Sequence, residues 1–243
     1  MKVIVIIPAA GLGTRMSPAA RGKKSPSKQF TELGGTPILV HSLRHFAACA
    51  EVTEILLALR KEEISSFRSS LDKEFKDLAP KVQLVEGGEH RQQSVANALA
   101  AVRAAPDDVI LVHDAVRPLV TAEIINEVIQ AVKKFGAAIA GLPAVDTIKQ
   151  VERTADGAVI TATVPREKVV MAQTPQGFRY DIIKKAFDAA TADGFVGTDE
   201  ASLVEHSGAD VMVVMGSARN IKITNPADLD LAEFYLKSEG KHA

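Results

Sequence analysis

The sequence predicts an α/β fold: a mostly parallel sheet covered by helices on both faces. Near-continuous, β-branched apolar runs recur along the chain, as strands buried on both faces require. Segments of helical period separate these runs. The glycine-rich and charged stretches suited to chemistry follow the ends of three of them, at residues 9–15, 87–94 and 113–117, which is where open α/β sheets bind ligands.

The elements follow in order. Residues 3–7 form the first buried strand, ended by Pro8 and Gly11. Thr36 and Pro37 read as the cap and first position of a helix with Leu39, Leu43 and Phe46 on one face. A strand at 55–59, a charged helix at 61–76 and a strand at 82–85 come next. Residues 94–103 form a helix with Val95, Leu99 and Val102 inward, before a strand at 109–112 that ends in His113-Asp114. Thr121 caps a helix carrying Ile125, Val128, Ile129 and Val132, which Gly136 stops. A strand at 137–142, another at 211–215 and a helix at 226–237 complete the alternation.

One segment departs from it. Residues 147–152 and 159–164 alternate apolar and polar side chains around Asp156-Gly157, the signature of a β-hairpin, giving an arm at about 143–166. A bare hairpin is marginal alone. It packs either on its own subunit or on a partner chain, and the pattern does not choose.

Composition bounds the function. The chain has 243 residues, 47% hydrophobic and 24% charged, and is expected to form one domain. Its net charge of −1 and lack of tryptophan offer neither a basic field nor a stacking platform, so no nucleic-acid partner is expected. No apolar run approaches the roughly 20 residues that span a bilayer, and residues 3–7 are too short for a signal peptide. The expectation is a cytoplasmic protein without membrane association. The single cysteine, Cys49, lies in an apolar run and is expected to be a small buried hydrophobe.

Four motifs carry chemistry. In Gly11-Leu12-Gly13-Thr14-Arg15-Met16 the glycines let backbone N–H groups approach phosphate oxygens. A dinucleotide fingerprint needs glycine where Met16 stands, and a P-loop needs a closing Gly-Lys-Ser/Thr. What remains is a loop from Pro8 to Met16, with Arg15, suited to a triphosphate. Lys28, between Pro26 and Phe30, is placed to flank the same phosphates. Fixed cations of this kind stabilise charge developing during nucleotidyl transfer. After the strand at 109–112, Asp114 suits Mg²⁺ or a ribose hydroxyl and Arg117 suits a phosphate; an Asp114–Arg117 pair at a helix start explains the spacing equally well. His113 has no partner at metal-ligand spacing and reads as structural. The glycines and Ser94 of Gly87-Gly88-Glu89-His90-Arg91-Gln92-Gln93-Ser94 can present hydrogen bonds to a base. Thr198-Asp199-Glu200 reads as a helix start with Thr198 as cap.

The ordered blocks Pro8-Ala9-Ala10-Gly11-x-Gly13-x-Arg15-Met16, Lys28-Gln29-Phe30, His113-Asp114-Ala115-Val116-Arg117-Pro118, Asp146-Thr147-Ile148-Lys149, Thr174-Pro175-Gln176, Thr198-Asp199-Glu200-Ala201-Ser202 and Asn220-Ile221-Lys222-Ile223-Thr224 resemble the 2-C-methyl-D-erythritol 4-phosphate cytidylyltransferases of the non-mevalonate isoprenoid pathway. The resemblance runs over essentially the whole chain. It implies a Rossmann-like fold of the nucleotide-diphospho-sugar transferase type, and transfer of CMP from CTP to methylerythritol phosphate with Mg²⁺ as cofactor. By the same resemblance Arg15, Lys28, Arg166 and Lys222 are the catalytic residues. Pro8, Ala9, Ala10, Gly11, Gly13, Gly88, Glu89, Ser94, Asp114 and Ala115 hold CTP, with Asp114 also a candidate metal ligand. Arg117, Thr147, Thr174 and Thr198 surround the sugar phosphate. The resemblance further implies a homodimer whose arms reach the partner's site, with Thr147 acting in trans. Two departures stand out: the stretch between Arg15 and Lys28 is long and adds Arg21, Lys23 and Lys24, and Glu89 stands where the family commonly has aspartate. The nearest rival is a cytidylyltransferase for another polyol phosphate such as ribitol 5-phosphate, which tends to open its phosphate loop with Ala-Gly-Gly rather than the Pro-Ala-Ala-Gly found here.

Overall fold

A computed structural model describes residues 1–11 and 27–239. The chain opens with β1 (Val3–Pro8), a 3-10 turn (Lys28–Phe30), the short strands β2 (Glu32–Leu33) and β3 (Thr36–Pro37), α1 (Ile38–Ala48) and β4 (Val52–Leu59). It continues through α2 (Lys61–Lys73), β5 (Val82–Glu86), α3 (Arg91–Ala101), β6 (Val109–Val112), α4 (Ala122–Phe135) and β7 (Ala137–Pro143). The arm is β8 (Ile148–Thr154) and β9 (Gly157–Val164). A 3-10 turn (Arg166–Lys168), β10 (Val170–Arg179), α5 (Tyr180–Asp193), α6 (Glu200–His206), β11 (Met212–Met215) and α7 (Pro226–Glu239) follow.

The main sheet runs β11-β7-β10-β6-β1-β4-β5. Pairings β1–β4, β1–β6, β4–β5 and β11–β7 are parallel, while β10 is antiparallel to both β6 and β7. Every strand but β10 therefore points the same way, and the carboxyl ends of β1, β5 and β6 open on one edge. β1 shows why the sequence folds so. Val3, Val5 and Ile7 enter one core cluster with side chains of α1 and α4; Ile4 and Ile6 enter the other with α3 and α5. All five are at most 1% exposed. The period of two thus feeds two helical layers at once, and full burial of each such side chain contributes about 1.5–3 kcal/mol.

Several expected boundaries shift. Thr36 and Pro37 do not begin α1; they pair with Glu32 and Leu33 across Gly34-Gly35, whose φ values of 58° and 78° suit a two-residue hairpin turn. Pro37 then becomes the cap of α1, with no side-chain hydrogen bond. The charged helix ends at Lys73, and α3 begins at Arg91, three residues before Ser94. Thr121 caps α4 as expected, its hydroxyl accepting from the Ile124 N–H. Asp199, not Thr198, caps α6 in a reciprocal box with Ser202, because only Asp199 aims a carboxylate at the Ser202 N–H. Cys49 is buried. Residues 149–163 of the arm are all exposed, so its strands pack on one another and leave both faces open. Among the described residues no helix is long and apolar enough to cross a membrane.

Candidate active site

The loops after β1, β5 and β6 meet in one cavity. Pro8, Ala9, Ala10 and Gly11 form one side, Gly88, Glu89, His90 and Ser94 another, and Asp114, Ala115 and Val116 a third, with Lys28, Gln29, Arg91 and Lys222 completing the lining. A second cavity adjoins it, lined by Arg117, Gln173, Thr174, Gln176, Thr198 and Asp199. Arg91, Asp114 and Lys222 line both and so form their shared wall.

Each loop has a local cause. The backbone after β1 stays close to the β5–α3 turn because position 87 carries no side chain: a Cβ there would lie 2.5 Å from that of Ala10. The turn is ordered by α3 itself. The Gly88 N–H donates to Ser94 Oγ at 3.0 Å, and Ser94 Oγ donates to the His90 carbonyl at 3.1 Å. The Glu89 N–H donates to Gln93 Oε1 at 2.9 Å, leaving the Glu89 side chain exposed at the cavity. Ser94 thus shapes the turn that lines the cavity, and its hydroxyl is already engaged there. Lys28 starts a 3-10 turn locked on both sides. Gln29 Nε2 donates to the Ala9 carbonyl, and Ser27 Oγ donates to Glu63 Oε1, which also accepts from Arg60.

Asp114 is the electrostatic centre. Its Oδ1 lies 3.1 Å from Arg91 Nε, and its Oδ2 lies 2.8 Å from Lys222 Nζ and 3.6 Å from Arg117 Nε. Burial alone would raise this carboxyl, but Arg91 and Lys222 hold it well below the usual carboxylate range. The Asp114–Arg117 pair therefore forms, though not at a helix start, since α4 begins at Ala122, and Asp114 also lines the cavity. Arg117 is 9% exposed and its Nη1 donates to the Asn220 carbonyl at 2.7 Å. Burial lowers its guanidinium, against the pull of Asp114.

His113 is structural. It is fully buried, and burial pushes its imidazole down to about 3. Nε2 faces the Arg117 carbonyl at 3.1 Å, so the neutral ring carries its proton there and Nδ1 accepts from the Thr174 hydroxyl at 3.0 Å. That hydroxyl also accepts the Asp114 N–H at 3.1 Å. Its proton is thus committed to His113, and Thr174 meets a ligand only through a remaining lone pair.

Gly13 and Arg15 lie outside the described residues. Thr147 and Arg166 line neither cavity; both are exposed at the base of the arm, where Arg166 Nη1 donates to the Val145 carbonyl at 2.9 Å. The other expected site residues converge. Sequence reasoning missed Gln29, Arg91, Gln176 and Glu200 as parts of the site. A helical start after Gly87-Gly88 was the available signal for Arg91; the others act through contacts distant in sequence, with no local signal.

The family model for 2-C-methyl-D-erythritol 4-phosphate cytidylyltransferase (IspD) matches residues 3–238. The chain belongs to this family. A relative of that name from Acidobacterium capsulatum is 57% identical over 238 residues, covering 98% of each chain. Another from Solibacter usitatus is 50% identical, covering 98% of this chain and 97% of the other. Among solved structures, the 2-C-methyl-D-erythritol 4-phosphate cytidylyltransferase of Francisella tularensis superposes with a TM-score of 0.80 at 34% identity, covering 96% of this chain and 99% of that one. The enzyme of the same name from Thermus thermophilus gives 0.76 at 33%, covering 98% and 100%. In this cytidylyltransferase family member, the two cavities and their shared wall occupy the carboxyl edge of the sheet.

Proposed function

We propose that this protein transfers CMP from CTP to 2-C-methyl-D-erythritol 4-phosphate, releasing pyrophosphate and 4-diphosphocytidyl-2-C-methyl-D-erythritol. The observation that carries the reading is the shared wall: one cavity with glycine-rich backbone and Lys28, one with Arg117, Thr174 and Thr198, and Arg91, Asp114 and Lys222 between them. Nucleotide binds in the first and the acceptor phosphate in the second. An acceptor phosphate oxygen attacks the α-phosphorus in line; the new P–O bond forms as the bond to the β-phosphate bridging oxygen breaks, and pyrophosphate leaves with that electron pair.

The chain's cations neutralise this charge from two sides. Lys28, fixed by Gln29 and Ser27, faces the nucleotide phosphates, and Arg15 is the second cation that the family resemblance implies for them. Lys222 and Arg117 hold the acceptor phosphate. Asp114 keeps Lys222 at the wall and meets the ribose or metal region of the nucleotide. Fixed cations need no reorganisation as charge moves, and each contributes roughly 3–4 kcal/mol of barrier lowering. Among the described residues no cluster of three or more His, Cys, Asp or Glu could hold a metal ion. Asp114 and the exposed Glu89 are the carboxylates that line the nucleotide cavity. Asp114 already faces Arg91 and Lys222, so it would offer Mg²⁺ only a remaining lone pair, with substrate phosphate oxygens and water completing the shell. When bound, Mg²⁺ would supply charge neutralisation on the triphosphate.

The site is completed by a second copy. Thr147 and Arg166 sit at the base of an arm whose Val151 and cross-strand partner Ile160 are 47% and 59% exposed on one face, an apolar pair that a partner subunit would cover. In the homodimer the arm brings these two residues to the neighbouring acceptor cavity. No membrane or nucleic acid takes part, and the reaction belongs in the cytoplasm. A pyrophosphate-release assay with CTP tests the substrate: turnover with methylerythritol phosphate is expected, and turnover only with ribitol 5-phosphate overturns the assignment.

A further inference from the structure

We infer that Glu200 is a positioning residue for transfer: it holds the Arg91 guanidinium against Asp114, and Asp114 then fixes the Lys222 ammonium at the wall between the cavities. The inference rests on the reading that Lys222 aims the attacking phosphate. The chain of contacts is continuous. Glu200 Oε1 lies 2.7 Å from Arg91 Nη1, Arg91 Nε lies 3.1 Å from Asp114 Oδ1, and Asp114 Oδ2 lies 2.8 Å from Lys222 Nζ.

Glu200 is placed for this by its surroundings. It opens α6 behind the Asp199–Ser202 cap. Gln176 of β10 anchors that helix start, donating to Asp199 Oδ2 at 2.7 Å and accepting from the Ala201 N–H at 3.1 Å. Its side chain is 1% exposed, and its second oxygen, Oε2, is buried with no hydrogen-bond partner.

This is a poor arrangement for stability alone. A buried ion pair offsets its desolvation only when its remaining lone pairs are satisfied. Its gain is in orientation. Arg91 is gripped on two edges and cannot turn to take Asp114 Oδ2 from Lys222. Three cations (Arg91, Arg117 and Lys222) face two carboxylates. Without the Glu200 charge, all three contend for Asp114. Burial pushes the Glu200 carboxyl up while Arg91 draws it back, and Glu200 and Asp114 together hold Arg91 above its ordinary value against burial.

The test is Glu200→Gln, which keeps the shape and removes the charge. Expected is a fall in kcat of roughly 10- to 100-fold, the scale of a misplaced reacting group, with KM for CTP within about threefold of wild type. A helix-start role alone would lower the melting temperature and leave kcat of the folded enzyme intact, and that result overturns the inference. In single turnover, Lys222→Ala/Glu200→Gln should react no more slowly than Lys222→Ala, because both act through one chain of contacts; fully multiplicative losses contradict it. If Glu200→Gln fails to fold, Arg91→Lys serves, keeping the charge but losing the two-edge grip. The same kcat loss is expected, and wild-type turnover refutes the proposal. Lys222→Ala alone separates the two readings. Near-normal turnover would remove the role of Lys222 and the inference with it, whereas an inactive Lys222→Ala beside a normal Glu200→Gln removes only the inference.

Discussion

The cleft and the arm meet solvent in opposite ways. In the cleft, Asp114 is 7% exposed with three cations held around it by ion pairs and backbone contacts. In the arm, residues 149–163 are all exposed, and β8 and β9 hydrogen-bond to one another. The cleft is therefore pre-organised within one chain, its groups fixed by the same packing that builds the core. The arm has a register but no buried face, and a two-stranded hairpin of this kind is marginal by itself. Damage to the cleft should appear in chemistry or folding of a single chain. Damage to the arm should appear in assembly.

The largest expected effect lies in the cleft. Lys28→Ala and Lys222→Ala should each lower kcat by about 10²–10³-fold, roughly 3–4 kcal/mol, while leaving the folded state intact by circular dichroism. Turnover near wild type in either would break the cleft half of the comparison. On the arm, Ile160→Asp should convert dimer to monomer in sedimentation and cut activity on the order of tenfold at low enzyme concentration, with recovery as concentration rises. A fully dimeric, fully active variant would show that the exposed apolar face does not assemble the site.

Smaller effects sharpen the contrast. Gly87→Ala puts a Cβ 2.5 Å from that of Ala10, so the phosphate loop must move. A loss of about 1–3 kcal/mol in urea unfolding is expected, the usual penalty of overpacking, with a raised KM for CTP. An unchanged unfolding midpoint would mean the two loops are not packed as described. His113 should supply a pH dependence. Its folded value, pushed down to about 3 by burial, lies below the roughly 6.5 of an unfolded histidine. The unfolded chain then binds the extra proton, so this contribution is complete above about pH 6.5 and is lost as pH falls towards 3. Between pH 7.5 and 5.0 it amounts to about 2 kcal/mol at most, and His113→Asn should flatten that slope in urea unfolding. An unflattened slope would place the titration elsewhere.

Much of this was legible in the sequence, for physical reasons. The run at residues 3–7 is apolar on both faces, so only a doubly covered strand suits it. Asp156-Gly157 between alternating runs specifies the arm. β10 was not legible, because Pro175 and Gly177 interrupt it among polar residues; the register shift between Ala172 and Gln176 shows how the strand accommodates them. The spacing of Ile183, Ala186, Phe187 and Ala190 does carry the helical signal for α5, an element absent from the expected order. In the site, glycines and cations at strand ends marked the cleft. The partnership of Arg91 with Glu200 was invisible, because the two stand 109 positions apart and Glu200 resembles any acid in a first helical turn.

The central claim is that one reaction site takes its cleft from one chain and its arm from another. Mixing inactive Thr147→Ala with inactive Lys28→Ala subunits after dissociation tests it most directly. If the arm acts in trans, mixed dimers contain one site with both residues intact, and pyrophosphate release returns. Confirmed subunit exchange with no recovery would place the arm in its own chain's site, or outside the reaction altogether.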